Sequence, residues 1–409
     1  MEIPFYRVSV GDAEVAEVTQ CLRSGWLTTG PRTQQFETAF GAAVGGKYSI
    51  AVNSCTAAMH LAVEALGLRS GMAVLVPTMT FAATAEVVRY VGAVPILVDC
   101  DPVTLNMDLA DAERKLNLAR AGKLPMVEAD VKVVGIMPVH VAGLMVDMDA
   151  VNRFATQHGL WVIEDAAHAF PAAFRTNGIP EWRKAGEGTA QVTCFSFYAN
   201  KTMTTGEGGM AVTNDQALAD RMRCMSLHGL SKDAWNRFRT GASWDYKIVA
   251  PGFKYNLTDI AAALGIHQLA RAEEMRLQRE AIARYYLEEL ATIPQIQLPH
   301  HCEKRIHAWH LFAIRLHLDK LAIDRNRLIQ ELNGRGVGTS VHWRPLHLHP
   351  YYETEFHWDP VDFPVATREW ERLVSIPLFP DLQQEEMEYV VQSVREVCAK
   401  FGRGTGSAR

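Results

Sequence analysis

Over the first 250 residues, short runs of β-branched and other apolar residues alternate with stretches whose apolar positions recur every three or four residues. The runs predict strands at 73–76, 94–98, 133–137, 160–164, 192–196 and 210–213. Between them, 56–66 carries Met59, Ala62, Val63 and Leu66 at helical spacing, and 84–91 and 216–225 also read as helices. Strands alternating with helices argue for an α/β domain on a largely parallel sheet. The pattern changes near Pro251. From 258 to 290 long helical stretches rich in Ala, Glu, Arg and Leu dominate, followed by a strand at 309–316 and helices at 325–334 and 384–399. This predicts a large domain over 1–250 and a smaller α+β domain over 251–402, whose first long helix packs back on the large one. A frayed tail is expected at 403–409, and 171–189, polar and glycine-containing, reads as an exposed excursion.

Composition narrows the function classes. The apolar share of 48% and charged share of 21% are those of an ordinary soluble globular protein. A formal net charge of −5 gives no reason to expect a nucleic acid or an anionic membrane as partner, so an anionic substrate would need a local basic pocket. The seven cysteines are scattered and form no CxxC pair, which supports neither a zinc site nor a redox motif and fits a reducing cytoplasm. No signal-peptide pattern opens the chain, and the longest apolar region, 133–146, is broken by Pro138, His140 and Gly143. A cytoplasmic protein without a metal site is expected.

The chemistry concentrates in one segment. A strand ends at Ser196, Lys201 follows in a Thr-rich loop, and Gly206, Gly208 and Gly209 lead into the next strand. A lysine that attacks a carbonyl needs a sheltered place where its amine can be neutral, and a nearby serine hydroxyl suits a phosphate. A second segment ends a buried strand in acid and imidazole, with Asp165 and His168, where open α/β sheets place ligand-binding groups. A third, Ser54, Cys55 and Thr56 before a helix, offers hydroxyls and free amides to an anion. Taken singly, each feature is more often structural: a solvated lysine beside a turn, an Asp capping a helix, a Ser-x-Thr cap. Their combination favours a cofactor site.

The lysine segment resembles that of the DegT/DnrJ/StrS family of pyridoxal-phosphate-dependent nucleotide-sugar aminotransferases. The likeness rests on Ser196-Phe197, Lys201 and Thr204-Thr205-Gly206-Glu207-Gly208-Gly209, and extends to Ser24–Pro31 and Ser375–Pro380. It implies the type I fold of pyridoxal-phosphate-dependent transferases (aspartate aminotransferase-like), with a mostly parallel seven-stranded sheet and a smaller α+β domain. It implies pyridoxal 5'-phosphate as cofactor, with Lys201 as its Schiff-base anchor and acid–base group and Asp165 against the pyridine nitrogen. Ser54, Cys55, Thr56, Ser196 and Asn256 would serve the cofactor phosphate region, Phe81 would stack on the ring, and His168 would meet its ring hydroxyl. In many relatives glutamine stands at the His168 position. The segment Gly252–Gly265 resembles one that reaches a neighbouring subunit's site, implying a homodimer with shared sites. This chain has Lys254 and Asn256 where many relatives have Asn and Arg, which leaves open which of the two reaches across.

Candidate substrate residues are Thr29, His228, Lys254, Trp309, Arg344 and His347, with His307 and His310 near the same strand start. Arg344 best suits a diphosphate. The His168 context and the run His307–Phe312 look most like relatives acting at sugar C4, of the type that makes UDP-4-amino-4-deoxy-arabinose for lipid A. The substrates expected are a nucleotide-linked keto-sugar and an amino donor, L-glutamate. Three alternatives are a C3-acting aminotransferase, a dehydratase of the same family, and a non-catalytic regulatory or binding member. Lys201 argues against the dehydratase, in which histidine replaces the lysine.

Overall fold

The computed structural model describes residues 1–125, 127, 130–176, 179–230 and 247–403. Most of the expected tail, 404–409, lies outside the described residues, as does part of the expected excursion at 171–189.

Seven strands form the main sheet, in the order Tyr48–Val52, Gly209–Thr213, Val192–Ser196, Trp161–Asp165, Lys132–Ile136, Met72–Pro77 and Val94–Val98. The last five are mutually parallel, while Gly209–Thr213 runs antiparallel to both of its neighbours. The reason is local. Only the lysine loop separates Ser196 from Gly209, and it forms no helix to carry the chain back for a parallel return.

The predicted strands and helices of this half fall on observed elements to within a residue or two. The pattern missed the helices Asp12–Ser24, Pro31–Val44, Leu109–Arg120 and Met148–His158. Pro31–Val44 is fixed from far along the chain. The fully buried Asp259 carboxylate accepts from Gly30 N at 2.7 Å, Arg32 N at 3.1 Å and Thr33 N at 3.0 Å, satisfying the amides at the helix start.

A second, antiparallel sheet of Ile296–Gln297, Phe312–Leu316 and Leu373–Ile376 carries the C-terminal half. The helical stretch predicted at 258–290 is two helices, Asp259–Ala270 and Ala272–Leu290, parted at Arg271, whose guanidinium bonds Glu14 and Ser9, both at 3.0 Å. Asp259–Ala270 packs on Asp12–Ser24 and Pro31–Val44. The apolar interior divides within the next helix. Ala272 and Met275 belong to the core of the large sheet, whereas Ile282, Tyr286 and Leu290 belong to that of the small one. Ile3 also joins the small core, held by Ile3 N to Gly336 O at 2.7 Å and Gly338 N to Ile3 O at 2.8 Å. The strand predicted at 309–316 begins only at Phe312, because Trp309 takes a left-handed φ of 47° and the amides of His310 and Leu311 turn to Ala142 O. Among the described residues no helix is long and apolar enough to cross a membrane.

Beneath the lysine loop lies a nest of phenyl rings. Phe40 contacts Phe195 at 5.0 Å, Phe197 at 5.2 Å and Phe170 at 4.8 Å, and Phe36 closes on Phe197 at 5.3 Å. Phe195 and Phe197 flank Ser196 in the chain, so the nest sets the height at which the loop leaves the sheet. Truncating Phe40 removes the ring shared by three of these contacts. Phe40→Ala should lower stability by about 3–5 kcal/mol, read by denaturant unfolding. A loss below about 1 kcal/mol would mean the nest is not a packing unit.

Candidate active site

The carboxyl ends of the central strands converge on Lys201. The loop that carries it is tied down by its own threonines: Thr204 Oγ1 donates to Phe197 O at 2.9 Å and Thr205 Oγ1 to Glu207 O at 2.7 Å. Thr205 N donates to Phe197 O at 3.0 Å, and Lys201 N to Tyr198 O at 3.0 Å. Gly206 sits at φ +79°, a left-handed conformation glycine adopts at little cost. Gly209 has a different reason. A Cβ there would lie 2.4 Å from Ser54 C and 2.5 Å from Cys55 N, so the strand after the loop passes directly against the start of the helix Cys55–Ala65. Glycine at this position makes room for the chain's own helix.

Ser54 caps that helix, its Oγ accepting from Ala57 N at 3.0 Å. Cys55 is buried in the first turn, and Thr56 is half-buried. Burial pushes the Cys55 thiol up, and Asp165 and Cys194 add to the shift. The site offers a helix N-terminus and hydroxyls where an anion would sit. Ser196 is half-buried at the end of its strand, with Oγ 3.3 Å from Tyr198 N.

Asp165 ends the strand Trp161–Asp165 and is 5% exposed. Its Oδ2 accepts from Thr84 Oγ1 at 2.8 Å and its Oδ1 from Ala167 N at 3.1 Å. Thr80 Oγ1, 2.8 Å from Thr84 Oγ1, completes a chain of donors pointing at the carboxylate. Burial raises the Asp165 pKa; the Thr84 and Ala167 hydrogen bonds and the Lys201 charge oppose the rise. A carboxyl so placed gains most from a cationic partner. Thr80 and Thr84 were not picked out in the sequence, though they flank Phe81, which the structure leaves 64% exposed between them.

Lys201 Nζ lies 3.4 Å from His310 Nε2. The His310 ring contacts that of His168 at 4.1 Å, and His168 stacks on Trp343 at 4.9 Å. His168 is buried and held neutral by desolvation and by the nearby Lys201 charge, and its Nδ1 finds no hydrogen-bond partner among the described residues. Such an orphaned atom in a polar site fits an exogenous partner. Among the described residues, no group of three or more His, Cys, Asp or Glu is arranged to hold a metal ion.

The other candidates separate. Thr29, Lys254 and Asn256 form one cluster: Asn256 Nδ2 donates to Thr29 Oγ1 at 2.7 Å and Lys254 Nζ to Asn256 Oδ1 at 2.7 Å. It sits at the end of the strand Tyr48–Val52, where Val52 bridges Asn256 and Asn53 N bonds Tyr255 O at 2.8 Å. His228 is exposed at φ 56° against Phe253 O, and Arg344 is exposed over the Trp370 ring at 5.6 Å. Trp309 and His347 are a correction. Trp309 is 3% exposed, stacked on His307 at 4.0 Å within the small core. His347, 1% exposed, bonds Thr78 at 2.8 Å and Thr367 at 2.9 Å and stacks on Phe363. Both side chains are spent on packing.

A half-buried lysine hydrogen-bonded to an imidazole and near a buried carboxylate, at the strand ends of a seven-stranded sheet with a helix N-terminus alongside, suits a transferase that captures a carbonyl. The description DegT/DnrJ/EryC1/StrS aminotransferase family matches residues 8–395. The spore coat polysaccharide biosynthesis protein SpsC of Bacillus subtilis (strain 168) is 41% identical over 396 residues, 97% of each chain. The PMP-form structure of Spr1654 from Streptococcus pneumoniae, described as a sugar aminotransferase, superposes with a TM-score of 0.87 at 31% identity, covering 98% of this chain and 100% of that one. Its PLP-form gives 0.85 at 30% identity, covering 98% and 99%. The chain belongs to the DegT/DnrJ/EryC1/StrS aminotransferase family.

Burial lowers the Lys201 pKa to about 8, with Cys55 and Asp165 limiting the fall and Arg279 adding to it. Below that pH the amine is mostly protonated and unreactive. The capture of a small aldehyde by Lys201 in protein freed of bound cofactor should therefore slow about tenfold per unit below pH 8 and level off above it. Rates measured by peptide mapping across pH 6–10 check this; a midpoint near the ordinary lysine value of about 10.4 would show the amine to be solvated.

Proposed function

We propose that the protein is a pyridoxal-phosphate-dependent sugar aminotransferase that moves an amino group from L-glutamate to a nucleotide-linked keto-sugar, acting at C4. The observation that carries the cofactor reading is the Lys201 amine in a dry site beside Asp165 and the orphaned His168 Nδ1. Pyridoxal phosphate, when bound, supplies the electron sink for breaking the donor's Cα–H bond. Lys201 would anchor it covalently and, when its amine is free, would serve as the general acid–base that moves a proton. Asp165 holds the pyridine nitrogen protonated, and that positive charge offsets the cost of burying the carboxylate. Ser54, Thr56, Ser196 and the amides around Cys55 hold the phosphate, His168 the ring hydroxyl, and Phe81 the ring face.

The sugar reading draws on the solved neighbour described as a sugar aminotransferase and the relative named for spore coat polysaccharide biosynthesis. A surface polysaccharide precursor is the natural class of product; C4 and the glutamate donor rest on the sequence resemblance, with a C3 keto-sugar as the alternative. Thr29, Lys254, His228 and Arg344 are the residues proposed for the anionic substrate. A cytoplasmic site of action agrees with seven free cysteines.

A panel of nucleotide-linked keto-sugars assayed with glutamate tests the reaction, and borohydride reduction should leave the pyridoxyl group on Lys201. Asp165→Asn should keep bound cofactor yet lose at least about 100-fold in kcat. Near-normal turnover by that variant, or a pyridoxyl group on Lys254, would refute the assignments.

We also propose a homodimer with shared sites. Exposed apolar side chains, Trp26, Leu27, Tyr198, Ile248 and Val249, border Thr29, Lys201 and Lys254 in the chain and would need a cover. Mixing Lys201→Ala protein with a Lys254→Ala/Asn256→Ala variant should restore activity toward about half per hybrid dimer, one site escaping both defects. Confirmed subunit exchange without recovery would show that Lys254 and Asn256 serve their own chain.

A further inference from the structure

His310 sits where the reading above gives it no task. Its backbone is fixed from two sides. His310 N bonds Ala142 O at 3.0 Å, and the buried Arg279 guanidinium donates from Nη1 to Leu378 O at 2.9 Å, Trp309 O at 3.3 Å and His310 O at 3.4 Å. Gly143, at φ +99°, lets the 141–143 turn close on this segment, since a Cβ there would lie 2.8 Å from His168 O and 3.0 Å from Ala308 Cβ. The His310 side chain is 4% exposed, and its Nε2 is the only hydrogen-bond partner of Lys201 Nζ among the described residues.

The tautomer follows from the pairing. Desolvation, with the nearby Lys201 and Arg279 charges, keeps His310 neutral. A neutral imidazole has one donor and one acceptor nitrogen. An ammonium can only donate, so with Lys201 protonated Nε2 accepts and the proton sits on Nδ1. That Nδ1 is buried without a hydrogen-bond partner among the described residues. Leaving a donor unsatisfied is unfavourable, and a phenyl ring would fill the same space without that loss. The imidazole therefore answers a need of the lysine rather than of the packing.

We propose that His310 is a positioning residue: it accepts a hydrogen bond from the Lys201 amine whenever that amine is not joined to a carbonyl. This rests on Lys201 being the anchor and acid–base group. An anchor lysine must be released and then return, and a flexible four-carbon side chain has many places to go. His310 gives the released nitrogen one place and favours its protonated form, so that a proton is ready at a fixed position. The other ionisable groups facing Lys201 are Asp165, Cys55, Arg279, His168 and His342. None of them makes a hydrogen bond to Nζ in this structure.

The test compares two quantities that positioning moves in opposite directions. In cofactor-free full-length protein, His310→Ala removes the acceptor that favours the ammonium. The midpoint for formaldehyde capture at Lys201 should then fall by about half a unit, making capture at pH 7 about threefold faster. In the holoenzyme, kcat with L-glutamate should fall about tenfold or more while KM stays within about threefold. His310→Gln, whose amide oxygen can still accept, should bring both values back toward the unsubstituted protein. Capture and kcat falling together, neither changing, or His310→Gln matching His310→Ala would each overturn the proposal. Borohydride mapping of the unsubstituted holoenzyme separately reports whether Lys201 is the anchor at all, so a failure of that reading is not mistaken for a failure of this one.

Discussion

Removing the Lys201 amine from water is the constraint on which the rest of the site depends. A solvated lysine is protonated across the working range of a cell and cannot attack a carbonyl. Here burial brings the pKa to about 8, close enough to neutrality that both forms are accessible. Much of the surrounding architecture serves to keep that position dry and still. The Phe36, Phe40, Phe195 and Phe197 rings lie beneath the loop, its threonines close hydrogen bonds within it, and Gly209 brings the returning strand against the Ser54 helix start. The price is a dry environment for Asp165 too, and the Thr80–Thr84 chain of hydroxyls partly offsets it.

The two cores meet at this same place. The turn at 141–143 belongs to the large sheet and 308–311 leads into the small one, yet Ala308 N bonds Gly143 O at 3.1 Å and His310 N bonds Ala142 O. Arg279, on the helix that passes from one core to the other, ties three carbonyls of the small half together. Its own pKa drops to about 10 through burial, a sign of how little water reaches the junction. The distance between His310 and Lys201 is therefore set by how the halves dock. Any shift of the small half would be felt first at that contact.

Much of this was legible in the chain, and the reason it was legible varies. The parallel strands stood out because buried strands are continuous apolar runs, and Lys201 and Asp165 because their segments combine residue types that packing alone rarely assembles. Local chemistry is written locally. The helix Pro31–Val44 was missed because its amide partner, Asp259, lies more than 200 residues away, and the Thr84–Asp165 and Lys201–His310 pairs are long-range in the same sense. Trp309 and His347 were misread because an aromatic or a histidine near a motif looks like a ligand contact until its neighbours are known. His168 stood out in the sequence, but its stacking on Trp343 did not.

The distribution of positive charge has its own logic. Three imidazoles, His168, His310 and His342, lie near Lys201, and desolvation pushes all three toward the neutral form, His342 to about 4. Were they protonated, they would repel the lysine ammonium and depress its pKa well beyond what burial does. Kept neutral, they offer donors and acceptors without adding field. Arg279 does add a permanent charge, but its guanidinium donates to the carbonyls of Trp309, His310 and Leu378 rather than to reacting groups. The cations suited to an anionic substrate, Lys254 and Arg344, are exposed. A chain with a net charge of −5 must draw an anion in locally. With the cations at the surface and the imidazoles neutral, the protonation state of Lys201 is governed first by its burial.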